Sequence, residues 1–168
     1  KYATFEGKAD LSVLFIERCL SLLARNGKFG LIVQRRWFKT NYGRMARHMI
    51  THGHYLSKLI DFKATDIFPG RITYVSIMVL EKGGNPHLQY YYMPEAADTI
   101  RTKFENADES GHFTGCQFQN IDYDDDDAPW AFESFAIQSL KKRLQEEWGT
   151  LGQYPQLQVK DGIQALWK

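Results

Sequence analysis

The apolar positions in the first half of the chain change between helical and strand spacing. The predicted elements follow in the order helix 11–24, strand 28–34, helix 37–51, strand 55–62 and strand 72–80. The first strand-to-strand connection contains a helix, which a parallel crossover needs, whereas the second is short and predicts an antiparallel pair. We therefore expect an α/β fold in which a parallel sheet ends in an antiparallel hairpin.

Two of these segments predict which surfaces are buried. The strand at 28–34 is apolar enough to be covered on both faces of a sheet. In the first helix, Asp10 is a plausible N-cap and Asn26-Gly27 a plausible stop. The spacing of its apolar residues predicts one buried face, made of Leu11, Leu14, Phe15, Cys19, Leu22 and Leu23.

The second half predicts an α+β extension with a long polar loop. Its elements are a strand at 87–93, a helix at 94–106 with Pro94 at its start, a short strand at 117–121 and a helix at 132–148. The acidic run Asp124–Asp127 lacks the glycine and the terminal glutamate of a calcium loop, so a solvated loop is expected. We divide the chain at residues 82/83 and 129/130.

The net charge of +1 conceals a strong polarity. Residues 1–93 hold 14 Lys and Arg against 6 Asp and Glu, a net charge of +8, whereas residues 94–168 hold 7 against 14, a net charge of −7. A basic first half indicates a polyanionic partner such as nucleic acid. The chain also begins without methionine, in polar sequence, and we expect it to be a piece of a longer protein.

An aromatic residue stands beside a cation at the predicted tip Phe68-Pro69-Gly70-Arg71. An exposed aromatic ring next to positive charge can stack on a nucleobase while phosphates are held beside it. Lys63 and Arg71 flank the tip and are candidate DNA contacts. The alternative is an ordinary turn whose phenylalanine folds back onto the core.

Three further cations follow the first predicted strand. Open α/β sheets place their ligands at the carboxyl ends of their strands, which makes Arg35, Arg36 and Lys39 candidate phosphate contacts. A solvated basic helix start explains them equally well. Arg44 and Arg47 lie further along the predicted helix and are expected at the surface.

The residue pattern gives no reason to expect a metal site or a membrane span. His48, His52 and His54 have no matching carboxylate spacing and no third strong ligand, so no metal is expected. Cys19 and Cys116 fit no metal spacing either, and Cys19 is expected to be a buried thiol in a reducing cytoplasm. The longest apolar runs are far shorter than the about 18 residues of a spanning helix.

Several of these segments, in this order and at this spacing, resemble the adenine-N6 DNA methyltransferases. The nearest branch is the one that includes the Taq-type enzyme and the fused type IIG restriction–modification proteins, and the resemblance covers roughly residues 1–82. The matching segments are Ala9-Asp10-Leu11, Leu14-Phe15-Ile16-Glu17, Gly27-Lys28-Phe29-Gly30-Leu31-Ile32-Val33, Trp37-Phe38, Tyr42-Gly43, Ile60-Asp61-Phe62, Phe68-Pro69-Gly70 and Tyr74-Val75-Ser76-Ile77.

The resemblance implies a partial Rossmann-like sheet. Strand 28–34 would be the family's fifth strand, 55–62 the sixth and 72–80 the antiparallel seventh, in the spatial order five, seven, six. Phe68 would match the family's base-stacking aromatic, and the resemblance turns the balance at the tip towards that role. Residues 130–168 resemble, more weakly, the approach to a target-recognition domain.

The family's chemistry requires two motifs that this sequence does not contain. These are the glycine-bearing segment that binds S-adenosylmethionine and the Asn/Asp-Pro-Pro-Tyr loop that holds the adenine amino group. We therefore expect S-adenosylmethionine to be a cofactor of the parent protein whose site is not in this chain, and the isolated chain to be inactive. The expected partners are double-stranded DNA and the remaining domains of the parent, with or without a fused restriction endonuclease.

Two other functions fit the same residues. One is a non-catalytic nucleic-acid-binding or assembly module built on a methyltransferase-like half-sheet. The other keeps the fold and changes the substrate to RNA or protein. In the family that the chain resembles, the strand matching 28–34 is paired on one side with the strand before the Pro-Pro loop. Without that neighbour, strand 28–34 would have an unpaired edge, and such edges tend to be covered. We expect that edge to be covered by self-association or by the C-terminal half of the chain.

Overall fold

The structure is a computed structural model, and it describes residues 2–6, 9–62, 67–68, 74–109, 111–122, 129–133, 135–150 and 153–154. The α-helices are α1 (Leu11–Leu22), α2 (Arg44–His52), α3 (Ala97–Glu105) and α4 (Phe135–Trp148). Two 3-10 turns, Arg35–Phe38 and Asn41–Gly43, precede α2. The strands are β1 (Lys28–Gln34), β2 (Leu56–Asp61), β3 (Val75–Glu81), β4 (His87–Tyr92) and β5 (Gln117–Asp122).

The strands form a five-stranded sheet in the order β1-β3-β2-β4-β5. β3 is antiparallel to both of its neighbours, β2 is parallel to β4, and β4 is antiparallel to β5. β1, β2 and β4 therefore run in the same direction, and their carboxyl ends lie at the same end of the sheet, which we call the carboxyl edge. The predicted mixed α/β class is confirmed, and the sheet continues past residue 82 because β4 and β5 join it.

One face of the sheet carries a core that includes α3. Side chains from three strands and from α3 lose nearly all of their solvent exposure here, and Phe113 closes the cluster. Its buried members are Ile60, Phe62, Val75, Tyr91, Met93, Ile100 and Phe113. Leu59, Met78 and Leu80, which point to the opposite face of the central strands, are also fully buried. The central strands are therefore covered on both sides.

The chain divides into two compact units, residues 1–131 and residues 132–168. The first unit contains the sheet and α1 to α3. The second contains α4, which exposes a row of apolar side chains at helical spacing. These are Ile137, Leu140, Leu144 and Trp148.

The predicted buried face of α1 is wrong. Leu11, Phe15 and Leu22 are exposed, whereas Val13, Ile16 and Leu20 are buried. Both sets follow helical spacing, so periodicity could not choose between them. The contact that accompanies the observed orientation is long-range: the Glu17 carboxylate accepts hydrogen bonds from the Ala3 and Thr4 N–H groups and the Thr4 hydroxyl.

The predicted cover of β1 on both faces is also wrong. Val33 is the buried residue of this strand, and Ile32 is 58% exposed, because β1 lies at the edge of the described sheet. β4 and β5 do not cover this edge, since they extend the sheet on its opposite side. Self-association through β1 stays a prediction.

The predicted helix over 37–51 is divided by the two 3-10 turns. Arg47 was expected at the surface but is 2% exposed, and its Nη1 donates to the Trp37 and Thr40 carbonyl oxygens at 2.8 and 2.9 Å. The Thr40 carbonyl oxygen also accepts the Gly43 N–H at 3.2 Å, and the buried guanidinium finds its own acceptors in these two backbone carbonyls. The third helix likewise begins at Ala97 rather than at Pro94.

We predict that Gly43→Ala destabilises the fold. A Cβ at Gly43 would lie 1.9 Å from the Trp37 carbonyl oxygen, the same oxygen that Arg47 binds. The backbone must shift to accept it, which should lower the free energy of unfolding by about 1–3 kcal/mol. The matched control is Gly30→Ala, whose Cβ would lie 4.0 Å from its nearest neighbour. Urea denaturation of both variants tests this, and equal midpoints would contradict it.

Candidate nucleic-acid interface

A pocket of about 520 Å³ opens where β1 ends, and we call it the carboxyl-end pocket. Arg36 and Lys39 are exposed at this pocket, and neither has an ion-pair partner among the described residues. The lining residues are Gln34, Arg35, Arg36, Phe38, Lys39, Thr40 and Tyr74. The structure therefore brings the three predicted cations of this segment to one site.

Three aromatic side chains pack together at the segment that carries these cations. Trp37 and Phe38 are both 1% exposed, and their rings lie 5.3 and 5.4 Å from the ring of Trp130. The Trp130 N–H also donates to the Phe38 carbonyl oxygen at 2.8 Å. Trp130, which lies far along the chain, thus packs against the segment that carries the cations.

Arg35 occupies a different position from Arg36 and Lys39. Its Nη2 lies 3.1 Å from Asp61 Oδ2, and its side chain is 19% exposed. Asp61 is fully buried, and its Oδ2 also accepts a hydrogen bond of 2.9 Å from the Tyr90 hydroxyl. Burial and the neighbouring Asp61 carboxylate raise the pKa of Tyr90 well above its usual value, so the hydroxyl keeps its proton and remains a donor.

Phe68 is 44% exposed and borders a second, apolar pocket of about 290 Å³. This pocket lies between β1, β3 and α3, and its neighbours include Ile32, Val75 and Phe104. The side chain therefore combines an exposed portion with apolar contacts. Lys63 and Arg71, and with them Pro69 and Gly70, lie outside the described residues.

A cleft lined mainly by polar residues lies at the other end of the strands, where β1, β2 and β4 begin. Both of its lysines have partners. Lys28 is paired with Glu81 at 3.0 Å, and Lys58 donates to the Gly111 carbonyl oxygen. Burial lowers the pKa of Lys58, and the nearby Asp108 opposes that effect. The cations best placed to meet an anion are therefore those of the carboxyl-end pocket.

The histidines and the helices add no further chemistry. The rings of His48 and His52 lie 5.0 Å apart, and the described residues contain no cluster of three or more His, Cys, Asp or Glu side chains that could hold a metal ion. Within the same residues, every helix is too short or too polar to cross a membrane.

Sequence reasoning missed Asp61 and Tyr90. The available signal was an acidic residue inside the apolar run Leu59-Ile60-Asp61-Phe62, because a buried carboxylate requires a partner. The identity of that partner was not accessible, since Tyr90 lies 29 residues away along the chain.

Residues 1–68 match the family model of the Eco57I restriction-modification methylases. The predicted resemblance to restriction–modification methyltransferases is confirmed. The chain is 32% identical over 91 residues to the type II restriction enzyme and methyltransferase RM.Eco57I of Escherichia coli, covering 54% of this chain and 9% of that protein. It is 36% identical over 83 residues to the type II methyltransferase M.XhoI of Xanthomonas vasicola, covering 49% of this chain and 15% of that protein.

The fold is also similar to solved restriction–modification structures. The cryo-EM structure of the DrdV–DNA complex aligns with 80% of this chain and 15% of its own, with a TM-score of 0.59 at 12% identity. At that identity the similarity concerns the fold alone. This chain spans 9% and 15% of the length of the two methyltransferases above.

We predict that Phe68→Ala changes stability little. Because the side chain is 44% exposed, its truncation should cost about 1 kcal/mol or less of unfolding free energy. The matched control is Phe62→Ala, which removes a ring that is 4% exposed and should cost about 3–5 kcal/mol. Thermal and urea unfolding measure both. If the two variants lose similar stability, Phe68 is a core residue and the base-stacking hypothesis fails.

Proposed function

We propose that this chain is part of a site-specific DNA methyltransferase of a restriction–modification system, which transfers a methyl group from S-adenosylmethionine to N6 of a flipped adenine. The chain would supply one wall of the base pocket and some of the DNA contacts. S-adenosylmethionine and the loop that grips the adenine amino group would be bound by other parts of the parent protein. Target recognition and any restriction endonuclease would likewise belong to the rest of the protein.

One observation carries the proposal. Within a chain whose first 68 residues match restriction–modification methylases, Phe68 is partly exposed and follows β2, while the cationic carboxyl-end pocket follows β1. Both strands end at the same edge of the sheet, which is where open α/β sheets bind ligands. In this assignment β1, β3 and β2 are the fifth, seventh and sixth strands of the methyltransferase sheet.

The physical requirements of base flipping agree with these residues. A base rotated out of the duplex loses stacking worth a few kcal/mol, which an aromatic wall restores in part. The phosphates that move with it need nearby cations, and Arg36 and Lys39 are exposed for this contact. Lys63 and Arg71 would act beside Phe68, and Arg35 is treated separately below.

The direct test is methylation by the full-length protein. With labelled S-adenosylmethionine and duplex DNA, we expect methyl transfer to adenine N6, identified by mass spectrometry of the digested nucleosides. Labelled protein or RNA in place of adenine would support one of the other substrates, and no transfer to any substrate would support a non-catalytic module.

We predict that Phe68→Ala in the full-length protein lowers kcat/KM for methylation. Stacking on one aromatic ring is worth about 1–3 kcal/mol per base, which corresponds to a loss of roughly 5- to 150-fold. The matched control is Phe118→Ala on β5, since Phe118 is 39% exposed at the other end of the sheet. Fluorescence of 2-aminopurine at the target position should fall in the first variant only. Equal losses in both variants would contradict the assignment.

A further inference from the structure

The Arg35–Asp61–Tyr90 network lies under the carboxyl-end pocket. Asp61 is fully buried, and its Oδ2 receives Arg35 Nη2 at 3.1 Å and the Tyr90 hydroxyl at 2.9 Å. Arg35 follows β1, Asp61 is the last residue of β2, and Tyr90 lies on β4. One carboxylate oxygen therefore links three strands that run in the same direction.

Backbone hydrogen bonds extend this link to β3, which lies between β1 and β2 in the sheet, and to the end of β4. The Arg35 N–H donates to the Tyr74 carbonyl oxygen at 2.9 Å, immediately before β3. The Met93 N–H donates to the Asp61 carbonyl oxygen at the same distance. The Arg35–Asp61 ion pair joins the ends of β1 and β2 directly, and the two backbone bonds fix each of these ends to a neighbouring strand.

The burial of Asp61 decides what Arg35 can do. A charged carboxylate without a partner in the interior is strongly unfavourable. If the Arg35 guanidinium turned outward to a phosphate, its ion pair with the fully buried Asp61 would be broken. Arg36 and Lys39 have no ion-pair partner among the described residues, and both are exposed.

We propose that Arg35 is a positioning residue and not a phosphate contact: held by Asp61, to which Tyr90 also donates, it fixes the turn from which Arg36 and Lys39 reach DNA. The proposal rests on the proposed function, because it assigns separate roles to three cations of the same DNA-binding edge. It also gives a role to Tyr90, which lies outside the segment that matches the methylase family.

The salt dependence of DNA binding separates the two roles. Each phosphate contact contributes about 0.9 to the slope of log K against log salt concentration, whereas a positioning residue contributes nothing to it. For the full-length protein on duplex DNA, Arg36→Gln and Lys39→Gln should each reduce the slope by about 0.9. Arg35→Gln should weaken binding by roughly 10- to 100-fold with an unchanged slope, because Arg36 and Lys39 still contact phosphate in the complex and only the cost of ordering their turn is added. Arg25→Gln, in the turn at the opposite end of β1, is the matched control and should change neither quantity.

Asp61→Asn gives an opposite expectation under the two roles. If Arg35 positions the turn, loss of the Asp61 charge weakens binding and leaves the slope unchanged. If Arg35 contacts phosphate, the same substitution frees it and strengthens binding. A reduced slope in Arg35→Gln, or tighter binding by Asp61→Asn, would overturn the proposal.

Tyr90→Phe keeps the test decisive where a charge substitution prevents folding. It removes one hydroxyl and keeps the buried ring, so circular dichroism should match the wild type. We expect roughly fivefold weaker binding at an unchanged slope, since one hydrogen bond to the carboxylate is lost. If Tyr90→Phe bound DNA with wild-type affinity, the proposed positioning role of the Arg35–Asp61–Tyr90 network would be refuted. Absence of salt-dependent binding in the wild-type protein would instead refute the proposed function.

Discussion

The position of β3 between β1 and β2 is the constraint on which the rest of the first unit depends. β3 is hydrogen-bonded along both sides, to β1 from Lys28↔Glu81 to Gln34↔Val75 and to β2 up to Asp61↔Ser76. Because β3 is antiparallel to both, β1 and β2 must be parallel and must end at the same edge. The segment that joins β2 to β3 therefore begins and ends at the edge where the cations follow β1, and its last residue, Tyr74, lines the same pocket as those cations.

A second constraint is the buried charge at that edge. Asp61 is a carboxylate with no solvent exposure, and the local structure supplies it with an arginine and a tyrosine hydroxyl. Such a pair adds little to stability relative to apolar residues of the same size, but either partner alone is costly. The arrangement therefore specifies one geometry of the strand ends, as the proposed DNA contact requires.

The elements of the sheet could be predicted from the sequence because their periodicity is local. The runs around Ile32, Ile60 and Ile77 are short, apolar and bounded by turn residues, and the helix between the first two indicated parallel strands. The buried face of α1 could not be predicted, because Phe15 and Ile16 each belong to a stripe of helical spacing. Arg47 was assigned to the surface by its charge, and only the geometry of the two 3-10 turns makes it a buried donor.

The same distinction between local and long-range signals applies to the residues of the candidate site. The exposure of Arg36 and Lys39 at the carboxyl-end pocket could be predicted because they directly follow a strand at its carboxyl end, and the partial exposure of Phe68 because it stands at a predicted tip. The partners of Arg35 could not, since they lie on two other strands. Sequence neighbours of identical charge thus differ in environment because the chain turns between them.

The most direct test of the account is hydrogen–deuterium exchange of the full-length protein with and without duplex DNA. The account predicts slower exchange on DNA binding in peptides that cover residues 34–40 and 62–74, and no change in peptides from residues 82–89 at the opposite edge of the sheet. Protection confined to residues 82–89, with none at 34–40 or 62–74, would contradict it.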